Sequence, residues 1–172
     1  MLRPSSLSIL GCLIFAGAHA DVRDTERERV LSLLQMKPAL SLPKSDWTIQ
    51  REQRREDESA VYYLLASDRT KLNLSVYIDK STACSDADNC LKAALSNKSY
   101  KDATELTLIA SGQFKGATFF LDQPAGLPIR QAHVLAAAYV DGIWFDIHIS
   151  MAGKERPDLA PLLELLKSVE LR

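Results

Sequence analysis

From Trp47 onward, apolar and polar residues alternate along the chain with a period of two. The segments WTIQREQR (47–54), AVYYLLAS (60–67) and LNLSVYID (72–79) read as strands, with REDES and DRTK as the turns between them. TELTLIA (104–110) and QFKGATFFLD (113–122) form a further pair, punctuated by Ser111-Gly112. RQAHVLAAAYV (130–140) and IWFDIHIS (143–150) flank Asp141-Gly142. Both residues of that dipeptide tolerate positive φ, so it is a strong signal for a two-residue hairpin.

Elsewhere the period shifts towards that of a helix. In DVRDTERERVLSLLQM (21–36), Thr25 and Glu28 have capping-box spacing, and Val30, Leu33 and Leu34 make a narrow apolar stripe. A helix is predicted there, ended by Pro38 and Pro43, which link it to Trp47. LKAALSN (91–97) predicts a short helix started by Asp86, Asp88 and Asn89, with their acidic groups at the positive end of its dipole. Arg156-Pro157-Asp158 opens a last helix with Leu159, Leu162, Leu163 and Leu166 on one side. The pattern predicts an α+β fold: a mainly antiparallel sheet of about seven strands, flanked by N- and C-terminal helices, with one short stapled helix between strands.

Residues 1–20 carry Arg3, an apolar run from Leu7 to Ala18, and the small-x-small ending Ala18-His19-Ala20. This reads as a signal peptide cleaved after Ala20. The run is shorter than the roughly 20 residues a membrane anchor needs. A competing reading takes Ile9-Leu10-Gly11-Cys12 as a lipoprotein box, but only a few apolar residues precede Cys12 and the run continues past it. The expected mature chain is one domain, 21–172, in the periplasm and without a transmembrane segment. Of 21 basic and 22 acidic residues only Arg3 lies in the leader. The slight acidic balance gives no electrostatic case for nucleic acid or an anionic membrane surface.

Export decides how CSDADNC (84–90) is read. In an oxidising compartment, cysteines six positions apart are most simply a disulfide, Cys84–Cys90. Redox chemistry calls for a Cys-x-x-Cys spacing, and a calcium loop calls for a turn glycine and a terminal glutamate; neither is present.

A two-residue turn at Asp141-Gly142 sets the cross-strand pairs Tyr139 with Trp144, Ala137 with Asp146, Leu135 with His148, and His133 with Ser150. One face then holds Val134, Ala136, Ala138, Ile143, Phe145, Ile147 and Ile149, a core pattern. The other holds His133, Tyr139, Trp144, Asp146, His148 and Ser150. Four readings of that second face compete. His133, Asp146 and His148 lie within chelating reach of a metal, though no fourth ligand suggests itself. A Ser150–His133 dyad has nucleophilic chemistry but no oxyanion hole or nucleophile elbow. Tyr139 and Trp144 are what protein interfaces enrich. In the plainest reading, a terminal helix (Leu159 to Leu166) covers the face and His148 and Asp146 are hydrogen-bonded structural groups. Zinc-protease, paired-cysteine zinc and phosphate-loop motifs are missing, so no cofactor is implied.

The C-terminal segment YVDGIWFDIHISMAGKERPDLAPLLELLKSVEL resembles the end of PsbP-like small secreted proteins: a final hairpin strand, an irregular loop and a leucine-rich helix closing on Ser168-Val169-Glu170-Leu171. The resemblance covers about the last fifth of the mature chain. It implies an antiparallel sheet sandwiched by helices, used in binding and accessory roles, and it carries over no functional residue. The expected function is a non-catalytic, protein-binding periplasmic domain, and within that class an immunity-type inhibitor of a toxin acting there. The alternatives are a cell-envelope accessory or assembly factor, and an enzyme using the His133/Asp146/His148 face.

Overall fold

The computed structural model describes residues 21–80 and 84–172. The expected signal segment and the Cys12 alternative lie outside them. Seven antiparallel strands form the main sheet: β4 (Trp47–Arg54), β5 (Ala60–Ser67), β6 (Leu72–Asp79), β7 (Thr104–Ser111), β8 (Phe114–Asp122), β9 (Arg130–Val140) and β10 (Ile143–Gly153). Their spatial order is β4-β5-β6-β10-β9-β8-β7. Consecutive strands pair as hairpins except at the centre, where β6 meets β10. The period-two reading therefore located every strand of this sheet.

The β9–β10 register is the one a two-residue turn dictates, with Tyr139 opposite Trp144 and His133 opposite Ser150. Asp141 (φ 51°) and Gly142 (φ 79°) both take positive φ, as a type I′ turn requires. The β7–β8 turn falls one residue later than Ser111-Gly112, with Gly112 at φ 56° between the closing pair Ser111 and Phe114.

The N-terminal helix is not formed. Residues 21–36 instead hold β1 (Val22–Asp24) and β2 (Glu28–Leu31), which pair with each other, with β3 (Leu40–Pro43) and, through β3, with β11 (Glu170–Leu171). The capping-box spacing closes a turn: Thr25 Oγ1 accepts from the Glu28 N–H at 3.0 Å, and Thr25 N–H donates to the Glu28 carbonyl at 2.8 Å. A bidentate Arg29–Asp24 pair spans the hairpin, and positive φ at Leu34 and Gln35 ends the run. A side-chain acceptor three residues before an N–H suits a turn as well as a helix start, and burial of Leu31 and Leu33 decides the outcome. The stretch between Pro38 and Pro43, expected as linker, supplies β3.

The small sheet and α2 (Ala160–Lys167) lie on one face of the main sheet. Leu31, Leu33, Leu40, Leu42, Leu162 and Leu166 join Val134, Ala136, Phe145 and Ile147 in a single core. The opposite face carries α1 (Ala87–Leu95), packed on β8, β9 and β10. Asp86 caps α1 by accepting from the Asn89 N–H at 2.8 Å, and the Cys84–Cys90 disulfide staples it as expected. Among the described residues no helix is long and apolar enough to cross a membrane.

Candidate functional site

The polar face of the β9–β10 hairpin is covered from an unexpected side. The last helix does not lie on it: α2 turns Leu162 and Leu166 into the opposite core. The covering element is α1, whose Cys90 and Leu91 pack with Phe119, Leu121, Leu135 and Ala137; Tyr139 and Trp144 are half-buried at the margin of this cluster. The covering helix belongs to the β6–β7 connection, whereas α2, which follows β10, packs on the opposite face.

Beneath the α1 layer, Phe119 stacks on His133 at 4.8 Å and His133 lies nearly parallel to His148 at 5.0 Å, with Tyr100 edge-on to His148. Tyr100 reaches the stack from a 3₁₀ turn, Lys98–Tyr100, that follows α1. His133 Nδ1 and His148 Nε2 are hydrogen-bonded at 2.8 Å, and His133 Nε2 faces Gln131 Oε1 at 3.2 Å. One tautomer satisfies both contacts: His133 donates from Nε2 to Gln131 and accepts the His148 Nε2–H at Nδ1. Burial holds His133 down at a pKa of about 3, with the neighbouring His148 adding to the effect, and burial holds His148 at about 4. Both rings are neutral at physiological pH.

This geometry bears on two of the chemical readings. Both His133 nitrogens are engaged, so neither is free to take a proton from Ser150, and the dyad is not assembled. Among the described residues no group of three or more His, Cys, Asp or Glu is arranged to hold a metal ion. His148 is hydrogen-bonded, as expected for a structural group, and so is His133. Asp146 is not: its Oδ1 is out of solvent without a hydrogen-bond partner, as is the indole Nε1 of Trp144. Desolvation pushes the Asp146 carboxyl up to about 7. Where the stack meets the 3₁₀ turn and the β8–β9 loop, the face opens into a cavity of about 690 Å³ floored by Gln131, His133, His148 and Ser150.

α1 packs on β8, β9 and β10. Over β5 and β6 the same face carries Tyr62 and Tyr77, directly opposite one another and both half-buried. Tyr77 is opposite Asp146 and meets Trp144 edge-on at 5.7 Å. Its hydroxyl donates to Asp79 Oδ2 at 2.8 Å and accepts from Arg55 at 2.7 Å. Arg55 also pairs with the buried Asp79 at 3.3 Å, which ties the β4–β5 turn to this surface. Tyr62, Tyr77 and Trp144 thus form an aromatic row across three adjacent strands. The sequence holds the alternation that puts Tyr62 and Tyr77 on one face. It does not reveal that β6 lies beside β10, which is what brings them to Trp144.

No protein-family model matches the chain, and no curated protein sequence matches it. Among solved structures it is similar to a crystal structure from Bacteroides thetaiotaomicron VPI-5482, at 16% identity and a TM-score of 0.47, over 77% of this chain and 45% of that one. The chain thus spans less than half the length of that protein. It is also similar to the solution structure of cyanobacterial PsbP (CyanoP) from Synechocystis sp. PCC 6803, at 12% identity and a TM-score of 0.45, over 95% of this chain and 99% of that one. Neither similarity assigns an activity or a site residue.

Proposed function

We propose that this chain is a non-catalytic protein-binding domain of the periplasm and, within that class, an immunity-type inhibitor of a toxin acting there. The observation that carries the binding reading is the aromatic row Tyr62–Tyr77–Trp144 on the half of the sheet face beside α1. Tyr and Trp supply large contact area at low conformational cost, and Arg55 beside them is the third residue type that binding hot spots favour. Tyr139, opposite Trp144, extends the row towards α1. His133 and His148 lie beside it on the same face, where their hydrogen bond ties β9 to β10, the strand that carries Trp144, and Asp146 sits opposite Tyr77. The disulfide and the leading apolar segment support export, and the mature chain from an exporting host is expected to start at Asp21.

The test is affinity capture from periplasm with the mature protein, alongside Tyr62→Ala and Trp144→Ala. A stoichiometric protein partner captured by the wild type and lost from both folded variants supports the surface. Equal capture by all three, or none by the wild type, overturns it. Production in the periplasm together with a secreted effector encoded beside its gene should protect the cells. A partner drawn from the cell-envelope machinery, with no protection, would make the chain an accessory factor instead.

A further inference from the structure

The two edges of the main sheet are protected to very different degrees. β4 carries Arg51, Glu52 and Arg54 and has a register irregularity between Ile49 and Arg51. Charges and bulges of this kind are how edge strands avoid pairing with other chains. β7 has one charge, Glu105, held by Arg156 at 2.6 Å beside an irregularity between Thr104 and Thr107. From Leu106 to Ser111 the strand is uncharged, yet it is a sheet edge, with Leu106 50% and Leu108 69% exposed.

The backbone of that edge has a defined polarity. Ser111 and Phe114 close a two-residue turn, so they exchange both backbone hydrogen bonds, and alternation makes Ile109 and Thr107 point the same way towards β8. The N–H and C=O groups of Leu108 and Ala110 therefore point outward. Leu108 is opposite Ala117, which is opposite Leu135 of the α1-side cluster, so its side chain emerges on the α1 face, beyond the β8–β10 strands on which α1 packs.

We propose that β7 pairs antiparallel with β7 of a second copy, about a two-fold axis at Leu108, joining two seven-stranded sheets into one. The strand is its own complement. Leu108 meets Leu108, exchanging the outward-pointing backbone groups, while Leu106 meets Ala110 and Thr107 meets Ile109. No pair sets like charges opposite one another, and Glu105 falls opposite the uncharged Ser111. A strand from an unrelated protein would satisfy the hydrogen bonds; a second copy also brings a stretch equally free of charge from Leu106 to Ser111, with its own exposed Leu108 on the same face, so both leucines lose solvent together. This surface is separate from the aromatic row, so the two proposals stand or fall independently.

Sedimentation equilibrium of the mature protein tests this. The wild type is expected at dimer mass in the micromolar range. Leu108→Lys, which sets two ammonium groups against each other at the axis, should halve the mass without changing the circular dichroism spectrum. Leu108→Pro removes the outward N–H without adding charge and should do the same, since an edge strand tolerates proline where its N–H faces away from the sheet. Gln50→Lys on the other edge should leave the mass unchanged. A monomeric wild type, retention of the dimer by both Leu108 variants, or dissociation by Gln50→Lys alone would overturn the proposal.

Discussion

At the residue scale, the least usual feature is three titratable groups held away from their ordinary protonation behaviour on one sheet face. His133 and His148 are kept neutral by burial, with pKa values lowered to about 3 and 4, whereas an unfolded histidine titrates near ~6.5. Between about pH 4 and 6.5 the unfolded chain therefore binds more protons at these positions, and stability falls on acidification by up to about 1.4 kcal/mol per pH unit for each ring. Asp146 acts in the opposite sense. Its folded pKa is raised to about 7, so over the same window the folded state keeps a proton that the unfolded chain, titrating near ~3.9, has released. The expected net slope is that of one group, about 1.4 kcal/mol per pH unit, in urea unfolding between roughly pH 5 and 6.5. Asp146→Asn should about double that slope and raise stability at alkaline pH, where the wild type must ionise a buried carboxyl. The hydrogen-bonded carboxylates with lowered pKa, Asp24, Asp46, Asp57 and Asp86, add a loss of the same sign from about pH 5 downward, so the slope above that pH belongs to the three buried groups. A stability flat across the window would show that the rings are not buried as neutral bases. The sequence placed these three residues on one face, but it held no sign of Tyr100 or Phe119 closing over them, because those contacts come from strand order and from the chain after α1.

At the element scale, the disulfide is the clearest handle. Cys84 and Cys90 bracket the start of α1, with Cα atoms 5.1 Å apart and Cys90 fully buried. Closing so short a loop restricts the unfolded chain by about 2 kcal/mol, so Cys84→Ser should lower the unfolding free energy by that amount while keeping the fold. Exported protein should show no thiol reactive at Cys84 or Cys90 until it is reduced. Two reactive thiols there would remove the staple and, with it, one support for an oxidising compartment. The elements that were legible in the sequence share one property: their pattern is local. The seven strands of the main sheet follow from alternation, the β9–β10 register from Asp141-Gly142, and the start of α1 from Asp86. The element that was misread, 21–36, is short, and its Thr25–Glu28 spacing is ambiguous between helix cap and turn. Pairing with β3 and, through it, with β11 at the far end of the chain settles it, and no local signal reports that pairing.

At the scale of the whole molecule, one face of the main sheet is covered by the small sheet and α2, and the other is shared between α1 and the aromatic row. Three substitutions separate the roles of these regions. Leu91 is 6% exposed within the α1-side cluster, and Leu91→Ala should cost about 2–4 kcal/mol of stability, with little effect on partner affinity once corrected for folded fraction. Tyr62 is half-buried on the β5 part of the face, away from the α1 cluster, so Tyr62→Ala should cost less than about 1 kcal/mol of stability and at least about 1 kcal/mol of affinity. Trp144 sits on the boundary, half-buried against the α1 cluster on one side and edge-on to Tyr77 on the other. Trp144→Ala should therefore move on both axes: a stability loss of roughly 1–3 kcal/mol, below that of a fully buried aromatic, and an affinity loss of about 2 kcal/mol. Chemical denaturation gives the first axis and calorimetric titration with the captured partner the second. If Trp144→Ala costs stability alone while Tyr62→Ala leaves affinity unchanged, the aromatic row is only a packing feature and the partner docks elsewhere on the molecule.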